Sequence, residues 1–342
     1  MVRCRVMFGN KAKKSVVVIG GGTGIHPILR GLKKYTDKIT ITSIITMADS
    51  GGSTGRLRDE FGQLPVGDVR MALVALASDV NDDDQLLREL FLYRFNKGVG
   101  LNGHSLGNLF MVALVELLGS EAKAVEAASR ILRVKGKVLP VTEHDVHLSA
   151  TYDDGVVIEG EHEIDEPDTD RNTHHIVSLS TTPKGVVTEE AKNALLDADL
   201  ILLGPGDLYS SLLANCVIEG VPEAICASKG VFVFASNLMT RPGQTHAMTA
   251  SAHVQEVAKY VGQMPDCVIV NTGKVPNHLL EKYAQECQYP VVDDCDGLLT
   301  KVVRADLLSK EEVVKKKGDV LQRSLVRSDG DTFAKLLMTL LT

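Results

Sequence analysis

The stretch Ser15–Gly24 reads SVVVIGGGTG, and the fold follows from it. Val16 to Ile19 is a short, wholly apolar, β-branched run, which suits a strand buried on both faces of a parallel sheet. It ends abruptly in Gly20-Gly21-Gly22-Thr23-Gly24. Apolar residues then recur at Ile25, Ile28, Leu29 and Leu32, which predicts a helix from about Gly24 with Pro27 in its first turn. A strand, a glycine turn and a helix N-terminus together favour an anion, because free N–H groups and the helix dipole point the same way. The plainer alternative is a tight strand–helix turn. A Walker loop is excluded, since no Gly-Lys-Ser/Thr follows. The dinucleotide spacing G-x-G-x-x-G fails because its third glycine falls on Ile25 or Pro27.

Outward from this stretch, the pattern repeats. Ile39–Ile45 is a second apolar strand, followed by MADSGGSTGRLR at Met47–Arg58. Asp49, Gly51, Gly52, Ser53 and Arg56 then stand at a neighbouring strand end, on the edge where parallel sheets bind ligands. Asp49 is either a ligand carboxylate or an Asx-turn former. Arg56 and Arg58 are either ligand contacts or a solvated face. Asp68 reads as a cap for the helix carrying Val69, Leu73 and Leu76. His104 and Asn108 lead a long apolar helix and are either caps or ligand contacts. A third junction joins the strand Asp199–Leu203 to Gly204, Gly206 and Ser210. A fourth joins Val231–Ala235 to the polar loop with Asn237 and Arg241. Ser251 is expected to cap the helix that ends near Val261. A helix at Pro276–Glu286 carries Tyr283.

Between about residues 138 and 182 the period changes to short strands, with an acidic loop at Glu161–Asp170. This predicts a β-hairpin insertion or an antiparallel sheet edge. His144, His147, His174 and His175 lack a carboxylate partner fixed by spacing and make poor metal ligands. Asp82–Asp84 read as partners of a helix dipole.

The 342 residues carry a formal charge of −7 and are 44% hydrophobic and 4% aromatic. An acidic, aromatic-poor chain argues against nucleic-acid binding. No apolar run approaches the length of a membrane span. The six cysteines form no C-x-x-C pair and suit small buried residues of a reducing cytosol. Residues 1–14 read as a basic leader without the apolar core of a signal peptide. Residues 15–342 then form one α/β domain with a mostly parallel sheet.

Five motifs in order, VVVIGGGTGI, ITMADSGGSTGRLRDEFGQLPVGDVR, GHSLGNLF, LGPGDLYSSLLAN and NLMTRPGQTHAMTASAHV, resemble the gluconeogenesis-factor (YvcK-like) proteins. These are relatives of 2-phospho-L-lactate transferase in the CofD-like superfamily. The resemblance implies a Rossmann-like three-layer sandwich in a cytoplasmic homodimer. It implies a phosphate site at Gly21, Gly22, Thr23 and Gly24 joined by the Asp49 loop. It also implies binding of UDP-N-acetylglucosamine, regulation of carbon flux to cell-wall precursors, and a regulated enzyme of amino-sugar synthesis as partner. Arg241, Asn237, Tyr283 and Arg327 are the residues expected on the sugar or base. In the transferase branch two adjacent aspartates suit Mg²⁺; here Ser50 follows Asp49, so Mg²⁺ has a single carboxylate in this motif. Ligand charge is then expected to be met by amides and arginines. The alternative is a Mg²⁺-dependent transferase of a phosphorylated group from a nucleotide-activated donor.

Overall fold

The computed structural model describes residues 13–167, 169–310 and 325–341. Most of the basic leader, Cys4 and a loop expected at Lys315–Gly318 lie outside the described residues. The chain runs β1 (Lys14–Gly20), α1 (Gly22–Leu32), β2 (Ile39–Ile45), α2 (Gly52–Phe61), α3 (Gly67–Leu76), α4 (Asp82–Leu92), α5 (Leu106–Leu118), α6 (Glu121–Ile131) and β3 (Lys137–Pro140). It continues through β4 (His147–Tyr152), β5 (Val157–Glu159), α7 (Glu161–Asp165) and β6 (Ile176–Thr182). Then come α8 (Glu189–Leu196), β7 (Leu200–Leu203), a π-helical turn (Leu208–Leu213) running into α9 (Ala214–Cys216), α10 (Val221–Ala227) and β8 (Val231–Ala235). The last elements are α11 (Ala250–Val261), β9 (Cys267–Asn271), α12 (Asn277–Gln285), β10 (Lys301–Ala305) and α13 (Gly330–Leu340).

The main sheet has the order β10-β9-β8-β7-β1-β2-β3, and every pairing is parallel. From β1 the chain winds outward through β2 to β3; from β7 it winds the other way to β10. The reversal falls between β1 and β7, so the loops leaving those two strands flank the crevice where doubly wound sheets bind ligands. These strands form the centre of the core: Val16–Ile19 and Leu200–Leu203 are fully buried. Each such side chain contributes about 1.5–3 kcal/mol of burial free energy. Helices flank the sheet, so the α/β class with a parallel sheet is as the apolar runs imply.

Two sequence expectations shift. Lys137–Pro140 belongs to the parallel sheet as its edge strand beside β2. Proline is tolerated at such an edge, where its missing N–H breaks no ladder. The antiparallel insertion is therefore the small sheet β5-β4-β6. Tyr209 Oη donates to the Ile176 carbonyl at 3.1 Å and Tyr260 Oη accepts the Leu179 amide at 2.8 Å, which ties that sheet to the main domain. The second shift concerns α1, which starts at Gly22. Pro27 therefore lies in its second turn and cannot donate to the Thr23 carbonyl.

α1 is held from behind by the chain's last helix. A Cβ on Gly31 would stand 2.0 Å from the Gly330 carbonyl oxygen, and one on Gly330 would stand 2.0 Å from the Pro27 carbonyl oxygen. Backbone meets backbone there, which glycine alone permits. Among the described residues no helix is long and apolar enough to cross a membrane.

Candidate functional site

Two helix N-termini open side by side at the carboxyl ends of β1 and β2. Gly21 is the N-cap of α1 and Gly51 the N-cap of α2, and neither has a side chain that caps its helix. The amide-rich ends expected from the two glycine turns are thus present and adjacent. Thr23 is the exposed member of the first loop.

The glycines serve packing as much as ligand access. A Cβ on Gly22 would lie 2.7 Å from the Asp68 backbone and from Met71 Cβ, so Gly22 faces α3 and not the cleft. A Cβ on Gly24 would lie 2.3 Å from the Pro205 carbonyl oxygen, so Gly24 admits the Gly204–Gly206 loop.

Carboxylates line the mouth of both helices. Asp49 Oδ1 accepts the Gly51 amide at 3.0 Å, the Asx turn that its position allows. Asp68 stands in the first turn of α3, where Val66 is the N-cap, so Asp68 does not cap its own helix. Its carboxylate faces the start of α1 instead, with Oδ2 2.8 Å from where a Cβ on Gly21 would stand. Desolvation and the neighbouring Asp49 charge push the Asp68 carboxyl up to about 7. Desolvation raises Asp49 as well. Glu161, at the start of α7, accepts the Ser50 amide at 3.3 Å; burial and the nearby Asp165, Asp49 and Asp68 raise it well above the usual range.

The segment expected as an acidic loop is therefore partly a helix, and it roofs the cleft. The His162 amide donates to Ser50 Oγ at 3.0 Å. Arg241 donates to Asp207 through Nη1 at 3.2 Å and to the Asp165 carbonyl through Nη2 at 3.0 Å. Gln244, fully buried, donates to the Ile164 carbonyl at 3.2 Å and to Asp165 Oδ1 at 2.9 Å. Ser50, in the place of a second adjacent aspartate, thus latches α7. Arg241 is held between two carboxylates and is not a free anion contact.

Several expected ligand residues are engaged within the protein. Ser53, His104 and Asn108 are buried and joined under α2. Ser53 Oγ and His104 Nδ1 share a hydrogen bond of 3.2 Å, and Asn108 Nδ2 donates to Ser53 Oγ at 3.4 Å. Asn108 Oδ1 accepts from Arg70 Nε at 2.6 Å. Arg56 donates to the Asn102 carbonyl and so braces the loop before α5. Arg58 is buried against Asp145, the Val146 carbonyl and His147, so it is not on a solvated face.

Tyr283 is buried with Val275 and Val326, and its Oη accepts the Val326 amide at 2.9 Å. It packs a small satellite core and does not open on the cleft. Ser210 is buried in the π-helical turn. Asn237 Nδ2 donates to the Gly206 carbonyl at 2.9 Å, tying the fourth junction to the third. Arg327 is half-buried near His26 of α1; burial lowers the His26 imidazole to about 3, with the charges of Arg30, Arg88 and Arg327 adding to it. Thr249 caps α11; Ser251 instead bonds Asp294. Asp153, Asp154 and His174 come together on the insertion, where Arg171 and His174 already pair with the carboxylates.

The cleft therefore joins two amide-rich helix ends to half-buried carboxylates. Asp49 and Asp68 offer oxygen donors of the kind Mg²⁺ takes, and a phosphate could share that cation. Asp68 is the second carboxylate that the Asp49 motif lacks. The signal for it was available: Asp68 follows Pro65 and Gly67 at a helix start.

The profile of the family described as "2-phospho-L-lactate transferase CofD" matches residues 16–308. A relative from Aquifex aeolicus, named "Putative gluconeogenesis factor", is 43% identical over 82% of this chain and 85% of its own length. The "Gluconeogenesis factor" of Bacillus subtilis is 37% identical over 96% of this chain and 98% of its own. The crystal structure of a UPF0052 family protein from Bacillus halodurans superposes with a TM-score of 0.85 at 34% identity, covering 96% of this chain and 99% of that one.

Proposed function

Because the chain belongs to the CofD family and its relatives are gluconeogenesis factors, we propose that it is a cytoplasmic nucleotide-sugar-binding regulator. The ligand we assign is UDP-N-acetylglucosamine, and the process is carbon flow into cell-wall precursors, exerted on an enzyme of amino-sugar synthesis by a homodimer. One observation carries the binding part: two helices on neighbouring strands, α1 and α2, begin at glycine caps without capping side chains beside the sheet's reversal point. Their amides suit the oxygens of a diphosphate.

Beside the arginines expected from the sequence, we infer a second source of charge neutralisation. Arg241 is engaged by Asp165 and Asp207, and Arg56 by Asn102. A diphosphate entering beside Asp49 and Asp68 meets like charge, so its binding needs a divalent cation on those carboxylates. When bound, Mg²⁺ neutralises phosphate charge. The chain's own residues orient the phosphates by backbone amides, and α7 limits water above them.

The same carboxylate pair favours a second reading, a Mg²⁺-dependent transferase of a phosphorylated group from a nucleotide-activated donor. Calorimetric titration with UDP-N-acetylglucosamine, GDP and NAD, with and without EDTA, followed by product analysis with candidate acceptors, separates the two. Preferred binding of the UDP-sugar without products supports the regulator. A released nucleotide product supports the transferase.

A further inference from the structure

The sequence of α5, LGNLFMVALVELL, carries a single charge, Glu116. A helix that is apolar all round is ordinarily buried all round. Here one face stays open: Phe110, Leu114 and Leu117 share it at i, i+4 and i+7, the first two half-buried and Leu117 80% exposed. The neighbouring α4 repeats the pattern. Its Phe91 is buried against Phe110, with ring centroids 5.0 Å apart, while Leu86, Leu90 and the following Tyr93 stay exposed. Leu87, half-buried, lies between the two stripes. Beyond the end of α4, the loop 94–103 carries Val99, wholly exposed between Gly98 and Gly100. Leu86, Leu90, Tyr93, Val99 and Leu117 together present on the order of 600 Å² of surface, the top of the range for the largest apolar patch on a monomer.

We propose that α4, α5 and this loop form the face on which a second copy of this chain docks, with the two α4 helices antiparallel about a twofold axis. The proposal rests on the homodimer named above and adds its face and orientation. The stripe is electrically self-complementary: Asp82 and Asp83 stand exposed at the start of α4, and Lys97 stands exposed past its end. Reversing one copy brings the acidic end of each against the basic end of the other, as an isologous contact requires. Two such patches together bury on the order of 1,200 Å², the lower bound of a stable specific interface. The acidic Asp82, Asp83 and Glu89 beside the patch disfavour an anionic lipid surface. The loop is also rooted on α2, since Arg56 donates to the Asn102 carbonyl and His104 shares a hydrogen bond with Ser53. A copy docked there steadies the helix whose N-terminus faces the phosphate cleft.

The test is sedimentation velocity on the full chain. The wild type is expected to be a dimer at micromolar concentration. Leu86→Asp/Leu90→Asp replaces exposed side chains, so it should keep the wild-type circular dichroism spectrum and sediment as a monomer. The charges give a test independent of that variant. Lys97→Asp and Asp82→Lys/Asp83→Lys should each weaken the dimer by about tenfold or more, and the triple variant that combines them should return to within about threefold of the wild type. A triple variant as weak as its parents, or a dimer that survives Leu86→Asp/Leu90→Asp, overturns this face and leaves the homodimer standing. A monomeric wild type overturns both. Calorimetric titration of the same samples with UDP-N-acetylglucosamine tests the ligand separately: a dimer that is lost in Leu86→Asp/Leu90→Asp yet binds no nucleotide sugar supports this face and refutes the ligand assignment alone.

Discussion

The Asp68 carboxylate faces Gly21 and the amide of Gly22, with Oδ2 only 2.8 Å from where a Cβ on Gly21 would stand, so a side chain of the protein already stands where a phosphate oxygen would meet α1. Two like charges then compete for one helix N-terminus unless a cation or a proton joins them.

The first consequence is a pH dependence of stability. The folded state raises Asp68 to about 7 from an ordinary 3.8, and raises Asp49 and Glu161 too. The folded state therefore binds more protons than the unfolded one between about pH 4 and 7, and stability falls as pH rises through that window. The ligand-free protein should melt at a higher temperature at about pH 5.5 than at about pH 8. Asp68→Asn should flatten that slope and stabilise the protein at about pH 8 by roughly 1–3 kcal/mol. A steeper slope in the variant would contradict this account.

Metal removal gives a second test. EDTA should weaken UDP-N-acetylglucosamine binding by about tenfold or more, because the cation offsets the Asp49 and Asp68 charges. Asp49→Asn/Asp68→Asn should remove most of the EDTA effect, since the repulsion disappears with the charges. Calorimetry reads both, and metal-independent binding in the wild type would refute the cation requirement.

Glycine substitutions separate packing from access. Gly22→Val drives a side chain into the α3 backbone and should destabilise the fold by about 3 kcal/mol or more, seen as a large drop in the denaturant midpoint. Gly51→Ala meets nothing closer than 3.6 Å, so it should fold normally and still lose ligand affinity by intruding between Asp49, His162 and Glu161. A Gly22→Val protein of full stability would falsify the close-packing role.

Arg241→Ala leaves Asp165 and Asp207 without their shared cation and frees α7 from the β8 loop. The amides of Ile164 and Glu166, which bond within α7, should exchange about tenfold faster or more. Unchanged protection of those two amides would show that Gln244 and Ser50 hold the helix by themselves.

The parallel sheet was legible because its strands are β-branched or largely apolar runs: Ile39–Ile45 and Val231–Ala235 begin and end where the sequence places them. The glycine turns after β1, β2 and β7 were legible for the same reason, each following an abrupt end of apolarity. What escaped was set by tertiary packing. Asp68 reaches the cleft only because α3 lies against Gly22. The roof helix α7 is short and acidic, bracketed by Gly160 and Pro167, and carries no apolar period. Tyr283 and Asn108 look like ligand groups in the sequence, yet the satellite core claims one and the Arg70 network the other.

The glycine contact between α1 and α13 sets the order in which this protein becomes competent during synthesis. The glycine loop after β1 is made well before the helix that backs it, which follows roughly 300 residues later, or about 15–60 s at ribosomal speed. Through that interval Gly31 and Pro27 face solvent or a chaperone. Nascent chains should therefore lack a braced α1 until α13 has been made, and only the finished chain can present that helix end in its folded position.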